Sequence, residues 1–186
     1  LIGKLDAQDD AVLAKSVKTI VDQVDAMKRL VNEFRDYARL PSADLKPVQL
    51  NALISDLMVL YANEPADQIH RAMVVAELDP TCPLILGDEQ QLRQVIHNLI
   101  QNAQDACEFK GELAQDAHVG VRTEWNASRS RVRLIVSDTG PGFEPNILKR
   151  AFEPYVTTKA KGTGLGLAVV KKISDEHGAK IELSNV

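Results

Sequence analysis

The chain has 186 residues, of which 45% are hydrophobic and 4% aromatic, and its formal net charge is −4. That length suits one full domain plus an appended element around a core of Leu, Val, Ile and Ala, while the weak acidity gives no general electrostatic case for nucleic acid or an anionic membrane. No run approaches the roughly 20 apolar residues of a membrane span and the start is unlike a signal peptide, so a soluble piece is expected.

From Leu13 to Ala38 apolar side chains recur at spacings of four and three: Leu13, Val17, Ile20, Val24, Met27, Val31, Phe34 and Ala38. This heptad seam, widened by Val21 and Leu30, predicts one helix from about Ala7 to Leu40, on the order of 50 Å long. Such a helix cannot cover its seam alone. Either it packs on its own domain or it is half of an antiparallel hairpin that dimerises into a four-helix bundle. The second is favoured, because Leu40-Pro41 ends the seam and residues 41–46 read as a linker. The other helix of the hairpin would lie before Leu1. Both ends of the chain read as cut.

After Pro47 the pattern is mixed α and β. Val48 to Leu50 is a short strand candidate, and Asn51 is placed to cap a helix carrying Leu53, Ile54, Leu57, Met58, Leu60 and Tyr61. Met73 to Leu78 and Leu84 to Leu86 read as strands. Asp88, with Gln91 three residues on, forms a capping box for the helix that follows. Val119 to Trp125 and Val132 to Val136 form a hairpin, Leu165 to His177 a last helix ended by Gly178, and Lys180 to Leu183 a strand. Cys82 and Cys107 lack metal-type spacing and read as inert core thiols.

Three places could carry chemistry. Asn98 and Asn102 lie four apart on one helix face, where an amide oxygen is a suitable hard ligand for Mg2+; a solvent-facing or structural role is the alternative. Asp138 ends an apolar strand and leads into Thr-Gly140-Pro-Gly142. It is either an acceptor for an adenine amine, with the glycines letting backbone approach the base, or a strand-ending Asp in a common turn. The segment from there to Leu167 is either a lid over a phosphate-bearing ligand or a surface loop. As a lid it offers Thr157, Thr158, Lys159 and Lys161 to phosphate, with Phe152, Pro154 and Tyr155 as apolar anchors. Gly162 to Gly166 then runs into a helix whose first amides point at an anion. Walker, Rossmann, protein-kinase, HExxH and GxSxG signatures are absent.

In order, the chain carries Asn98-Leu-Ile-Gln-Asn102-Ala, Asp138-Thr-Gly-Pro-Gly142, Phe152-Glu-Pro-Tyr-Val-Thr-Thr-Lys159 and Gly162-Thr-Gly-Leu-Gly-Leu167. These resemble the N, G1, F and G2 boxes of bacterial sensor histidine kinases, whose ATP-binding domain is shared with gyrase-type ATPases. The wording of the lid is similar to nitrogen-regulation sensors of the NtrB/NtrY kind, NtrY more closely. The resemblance implies an α+β fold, a two-layer α/β sandwich over 47–186 that binds ATP and Mg2+. Residues 1–40 would be the second helix of the dimerisation and phosphotransfer hairpin.

By that resemblance Asn102 would hold the Mg2+, with Asn98 beside it, and Asp138, Gly140 and Gly142 would form the adenine pocket. Phe152 would seat the lid. Thr158, Lys159, Gly162, Thr163, Gly164, Leu165, Gly166 and Leu167 would surround the phosphates, and Asn98, Asn102 and Lys159 would assist transfer. Asp105 counts among the nucleotide residues, although many relatives carry a basic residue there. The phosphoacceptor histidine is not in this chain, since His70, His97, His118 and His177 all lack its box, and the closing strand expected after Ser184 is missing. The implied partners are a homodimer mate through the first helix and a response-regulator receiver domain, with no nucleic acid and no direct membrane contact by this part. The implied location is the bacterial cytoplasm, with the full-length protein anchored in the inner membrane. The rival expectations are a dimeric scaffold that binds nucleotide without turnover, and a related ATPase such as an anti-sigma serine kinase.

Overall fold

The computed structural model describes residues 2–62, 72–109, 112–113, 117–159 and 162–185. Helix α1, Ile2–Ala38, is a single 37-residue helix that starts earlier than the apolar seam. The seam lies open: Val17 is 51% exposed, Ile20 62%, Met27 67% and Phe34 49%. At its end α1 meets the rest of the chain. Tyr37 and Leu40 pack on Val95, Val169, Val170 and Ile173, and Lys172 Nζ donates to Tyr37 O at 3.0 Å while lying over the Tyr37 ring.

Strand β1 (Lys46–Val48) pairs antiparallel with β3 (Ile85–Gly87). The expected strand from Val48 to Leu50 is therefore shifted, and α2 (Leu50–Ala62) already contains Asn51. Asn51 does not cap the helix. Its Nδ2 donates to Asp79 O at 2.7 Å and its Oδ1 accepts from Thr123 Oγ1 at 2.9 Å, while Thr123 Oγ1 accepts the Asp79 amide at 3.0 Å. A short amide in the first turn, facing the sheet, finds polar backbone there that would otherwise be buried unpaired.

The main sheet is mixed: β2 (Met73–Leu78) runs parallel to β6 (His118–Asn126), and β6 antiparallel to β7 (Arg131–Asp138). The hairpin turns through a short 3-10 helix, Ala127–Arg129, capped by the Asn126 side chain accepting the Arg129 amide, with Ser130 in the left-handed position at φ 49°. Alternation along β6 sends Val119, Val121 and Thr123 inward, all essentially buried. Against that face α2 and α3 (Glu89–Cys107) lay Leu53, Ile54, Leu57, Ile96 and Ile100, which makes the expected two-layer α+β arrangement. A small pair not foreseen from sequence, β4 (Glu108–Phe109) with β5 (Glu112–Leu113), follows α3. Short α4 (Pro145–Leu148) and α5 (Gly166–Glu176) complete the chain, and Gly178 at φ +61° ends α5 as expected.

Two local expectations change. Asp88 caps α3 by accepting the Gln91 amide at 3.1 Å, but the return half of the capping box is not made. Gln91 Nε2 turns to Pro41 O at 2.8 Å, and the Asp88 amide donates instead to His177 Nε2 at 2.9 Å. The predicted strand from Lys180 to Leu183 forms no ladder among the described residues. Lys180 and Glu182 pair with each other, and Asn185 ties the segment to Phe143 through its side chain, so the segment is anchored without strand pairing. Cys82 and Cys107 are buried and free. No helix among the described residues is long and apolar enough to cross a membrane.

Candidate nucleotide site

Helix α3 is apolar on one side and presents Asn98, Asn102 and Asp105, all half-buried, on the other. Spacings of four and three keep them on one face. The N-terminus of α5 lies on this face. Asn98 Nδ2 donates to Gly166 O at 3.5 Å, and a Cβ on Gly166 would come within 3.3 Å of Asn102 Nδ2. Close approach is what glycine permits here. Leu165, fully buried, fixes the start of α5, and no side chain among the described residues caps that helix. Its opening amides therefore keep the positive end of the helix available to an anion beside two amide side chains.

Lys159 Nζ reaches the same face from the lid, 3.2 Å from Asn102 Oδ1 and 2.8 Å from Asp105 Oδ2. Two hard oxygens thus already hold a cation, and the donor set fits Mg2+ in kind. No cluster of three or more His, Cys, Asp or Glu suited to a metal exists among the described residues. A divalent ion on this face would have to complete its shell with water and phosphate oxygens, which is how Mg2+ is usually held.

Asp138 stands at the end of β7 with its carboxylate exposed, Oδ1 accepting the Gly140 amide at 2.9 Å. A Cβ on Gly140 would lie 2.6 Å from Ala106 O, so the turn rests directly on the last stretch of α3. Gly142, at φ +72°, is where the chain reverses toward Phe143, whose amide and carbonyl are clasped by Asn185 at 2.9 and 2.8 Å. The Asn98–Asp105 face and the Asp138 turn thus flank one stretch of α3.

Between the two glycine clusters Phe152 and Pro154 are half-buried, while the Tyr155 side chain is 59% exposed. The contribution of Tyr155 comes from its backbone: at φ 65° its amide donates to Gly164 O at 3.0 Å, joining the two arms of the lid. Thr157 Oγ1 accepts the Lys159 amide, Gly162 donates to Lys159 O, and Thr163 Oγ1 accepts the Leu165 amide. Thr158 is exposed and Leu167 half-buried; Lys161 and His70 lie outside the described residues. His97 is a helix residue bonded to Tyr61 Oη at 2.9 Å and stacked on its ring. Nothing in the sequence pairs Asp105 with Lys159, and the Tyr155 backbone bond and the Asn185 side-chain clasp carry no sequence signal either.

Residues 87–186 match the family described as Histidine kinase-, DNA gyrase B-, and HSP90-like ATPase. The chain is 32% identical over 187 residues to the nitrogen regulation protein NtrY of Azorhizobium caulinodans, an alignment covering 98% of this chain and 23% of that protein. It is 28% identical over 177 residues to the signal transduction histidine-protein kinase AtoS of Escherichia coli (strain K12), covering 95% and 28%. Among solved structures, full-length ShkA in complex with AMPPNP aligns with a TM-score of 0.69 at 30% identity, covering 88% of this chain and 34% of that one. The chain spans about a quarter of the length of these two curated relatives. With the match running through α3, the Asp138 turn and the α5 amides, more than half of its residues, the chain belongs to the histidine kinase-, DNA gyrase B- and HSP90-like ATPase family.

Proposed function

We propose that this chain is the ATP-binding catalytic part of a bacterial two-component sensor histidine kinase. It passes the γ-phosphoryl group to a histidine outside these residues, from which a response-regulator aspartate receives it. The observation that carries this reading is the meeting of three devices on one face of α3: the Asn98–Asn102 pair, the uncapped amides of α5 and the ammonium of Lys159. Cation-holding oxygens beside anion-holding amides suit a metal-bound polyphosphate.

Asn102 Oδ1 is the protein ligand for Mg2+, and Asn98 orients the phosphates beside it. Mg2+ supplies charge neutralisation on the phosphate oxygens when bound. Lys159, Thr158, Thr163 and the amides of Gly164, Gly166 and Leu167 hold the phosphates, Phe152 seats the lid, and Asp138 accepts the adenine amine in a turn shaped by Gly140 and Gly142. These groups position the donor and neutralise charge for in-line transfer, with little covalent chemistry left to the protein. The open seam of α1 supports a homodimer through residues 1–40, joined by 41–46 to the nucleotide domain at 47–186. The longer protein is anchored in the inner membrane and this part works on its cytoplasmic side.

Calorimetric titration tests the nucleotide assignment. The chain should bind Mg2+-ATP in preference to Mg2+-GTP, and Asp138→Ala should lose that preference. Equal binding of the two nucleotides by the unmutated chain would overturn the role of Asp138.

A further inference from the structure

Asp105 carries the wrong charge for a phosphate neighbour, yet it sits on the same face as Asn102, and Lys159 Nζ bridges the two oxygens at 3.2 and 2.8 Å. Lysine and aspartate side chains are 36% and 37% exposed, so the pair is open to exchange with solutes, and an ion pair that accessible has little net stability. We propose that Asp105 sets the metal requirement of nucleotide binding, with Lys159 as the tethered counter-ion that a divalent cation replaces. This inference rests on the nucleotide reading above.

A polyphosphate arriving without metal draws the Lys159 ammonium toward itself and leaves Asp105 an unpaired carboxylate beside phosphate oxygens, a like-charge contact. When the nucleotide carries Mg2+, the same movement of Lys159 leaves Asp105 facing a cation and its water, for which a carboxylate is a good hydrogen-bond acceptor. Asp105 thus penalises one form of the nucleotide and welcomes the other. Lys159 keeps the carboxylate neutralised in between. An amide at position 105 would keep the shape and remove the discrimination.

The test is titration of ATP into the chain in Mg2+ and in EDTA, with Asp105→Asn, Asp105→Glu and Lys159→Gln alongside and circular dichroism to verify folding. Asp105→Asn should bind metal-free ATP about tenfold more tightly than the unmutated chain, compressing the ratio of the two affinities by that factor, on the order of one surface charge contact. Asp105→Glu should keep the original ratio, and Lys159→Gln should widen it. An unchanged ratio in both Asp105→Asn and Lys159→Gln, with Mg2+-ATP still bound by the unmutated chain, would overturn the role of Asp105 and leave the nucleotide site standing. Failure of the unmutated chain to bind Mg2+-ATP would remove the nucleotide reading itself, and this inference with it.

Discussion

The backbone amide of Asp88 donates to Nε2 of His177 at 2.9 Å, joining the start of α3 to the end of α5. A carbonyl can only accept, so the 2.8 Å contact between His177 Nδ1 and Ile173 O places the ring proton on Nδ1 and frees Nε2 as acceptor. The two helices that build the site are thus clamped at one end, while Asn98 meets Gly166 at the other. His177→Ala leaves a half-buried amide unpaired. Urea unfolding should show a loss of about 1–2 kcal/mol, and an unchanged midpoint would contradict the clamp.

Asp88 also makes this region sensitive to acid. The Gln91 amide first, and the Asp44 amide second, hold its carboxyl below the usual carboxylate range. The unfolded chain therefore takes up this proton at higher pH than the folded one. The stabilisation is complete above roughly pH 4, the ordinary value for Asp, and is lost as the pH falls through the depressed folded value. Stability measured against pH should show a smaller acid-side loss in Asp88→Asn than in the unmutated chain.

Thr123 is the buried centre of the triangle with Asn51 and Asp79, donating to one and accepting from the other. Thr123→Val keeps the volume but leaves Asn51 Oδ1 and the Asp79 amide without this partner, at a cost of about 2–3 kcal/mol. Thermal unfolding checks this, and nucleotide affinity should be nearly unchanged because the triangle lies away from the Asn102 face.

The contrast between Thr123 and Asn102 illustrates what the sequence could carry. The heptad seam of α1, the Asp88 cap and the alternation of Val119, Val121 and Thr123 are local patterns, and each produced the expected element. Asn98 and Asn102 share a face by helix geometry alone, which is why the site's centre was legible. Asn51 misled because a capping residue and a first-turn residue look alike until the sheet supplies Asp79 and Thr123. Gln91 misled for a similar reason: Pro41 and His177, from distant parts of the chain, take the two partners of the return half of its capping box, the Gln91 side chain and the Asp88 amide. The parallel pairing of β2 with β6 joins segments separated by α3, and nothing in either segment alone specifies it.

Gly164 holds the lid closed on itself. At φ +69°, with a Cβ predicted 2.6 Å from the Tyr155 carbonyl carbon, it has no room for a side chain. Gly164→Ala should break the Tyr155–Gly164 bond and lower Mg2+-ATP affinity by about tenfold or more, since strain of this kind costs roughly 1–3 kcal/mol. The melting temperature should move little, because the change falls on the lid. A calorimetric affinity equal to that of the unmutated chain would place the lid outside the binding event.

The most direct test of the account as a whole is phosphoryl transfer in trans. The chain is incubated with Mg2+-ATP labelled at the γ position and a separate hairpin bearing the acceptor histidine, and phosphohistidine is measured. The account predicts label on the hairpin with the unmutated chain, none with Asn102→Ala, and a folded Asn102→Ala protein by circular dichroism. An unlabelled hairpin while the chain demonstrably holds Mg2+-ATP, or full labelling by Asn102→Ala, would contradict it.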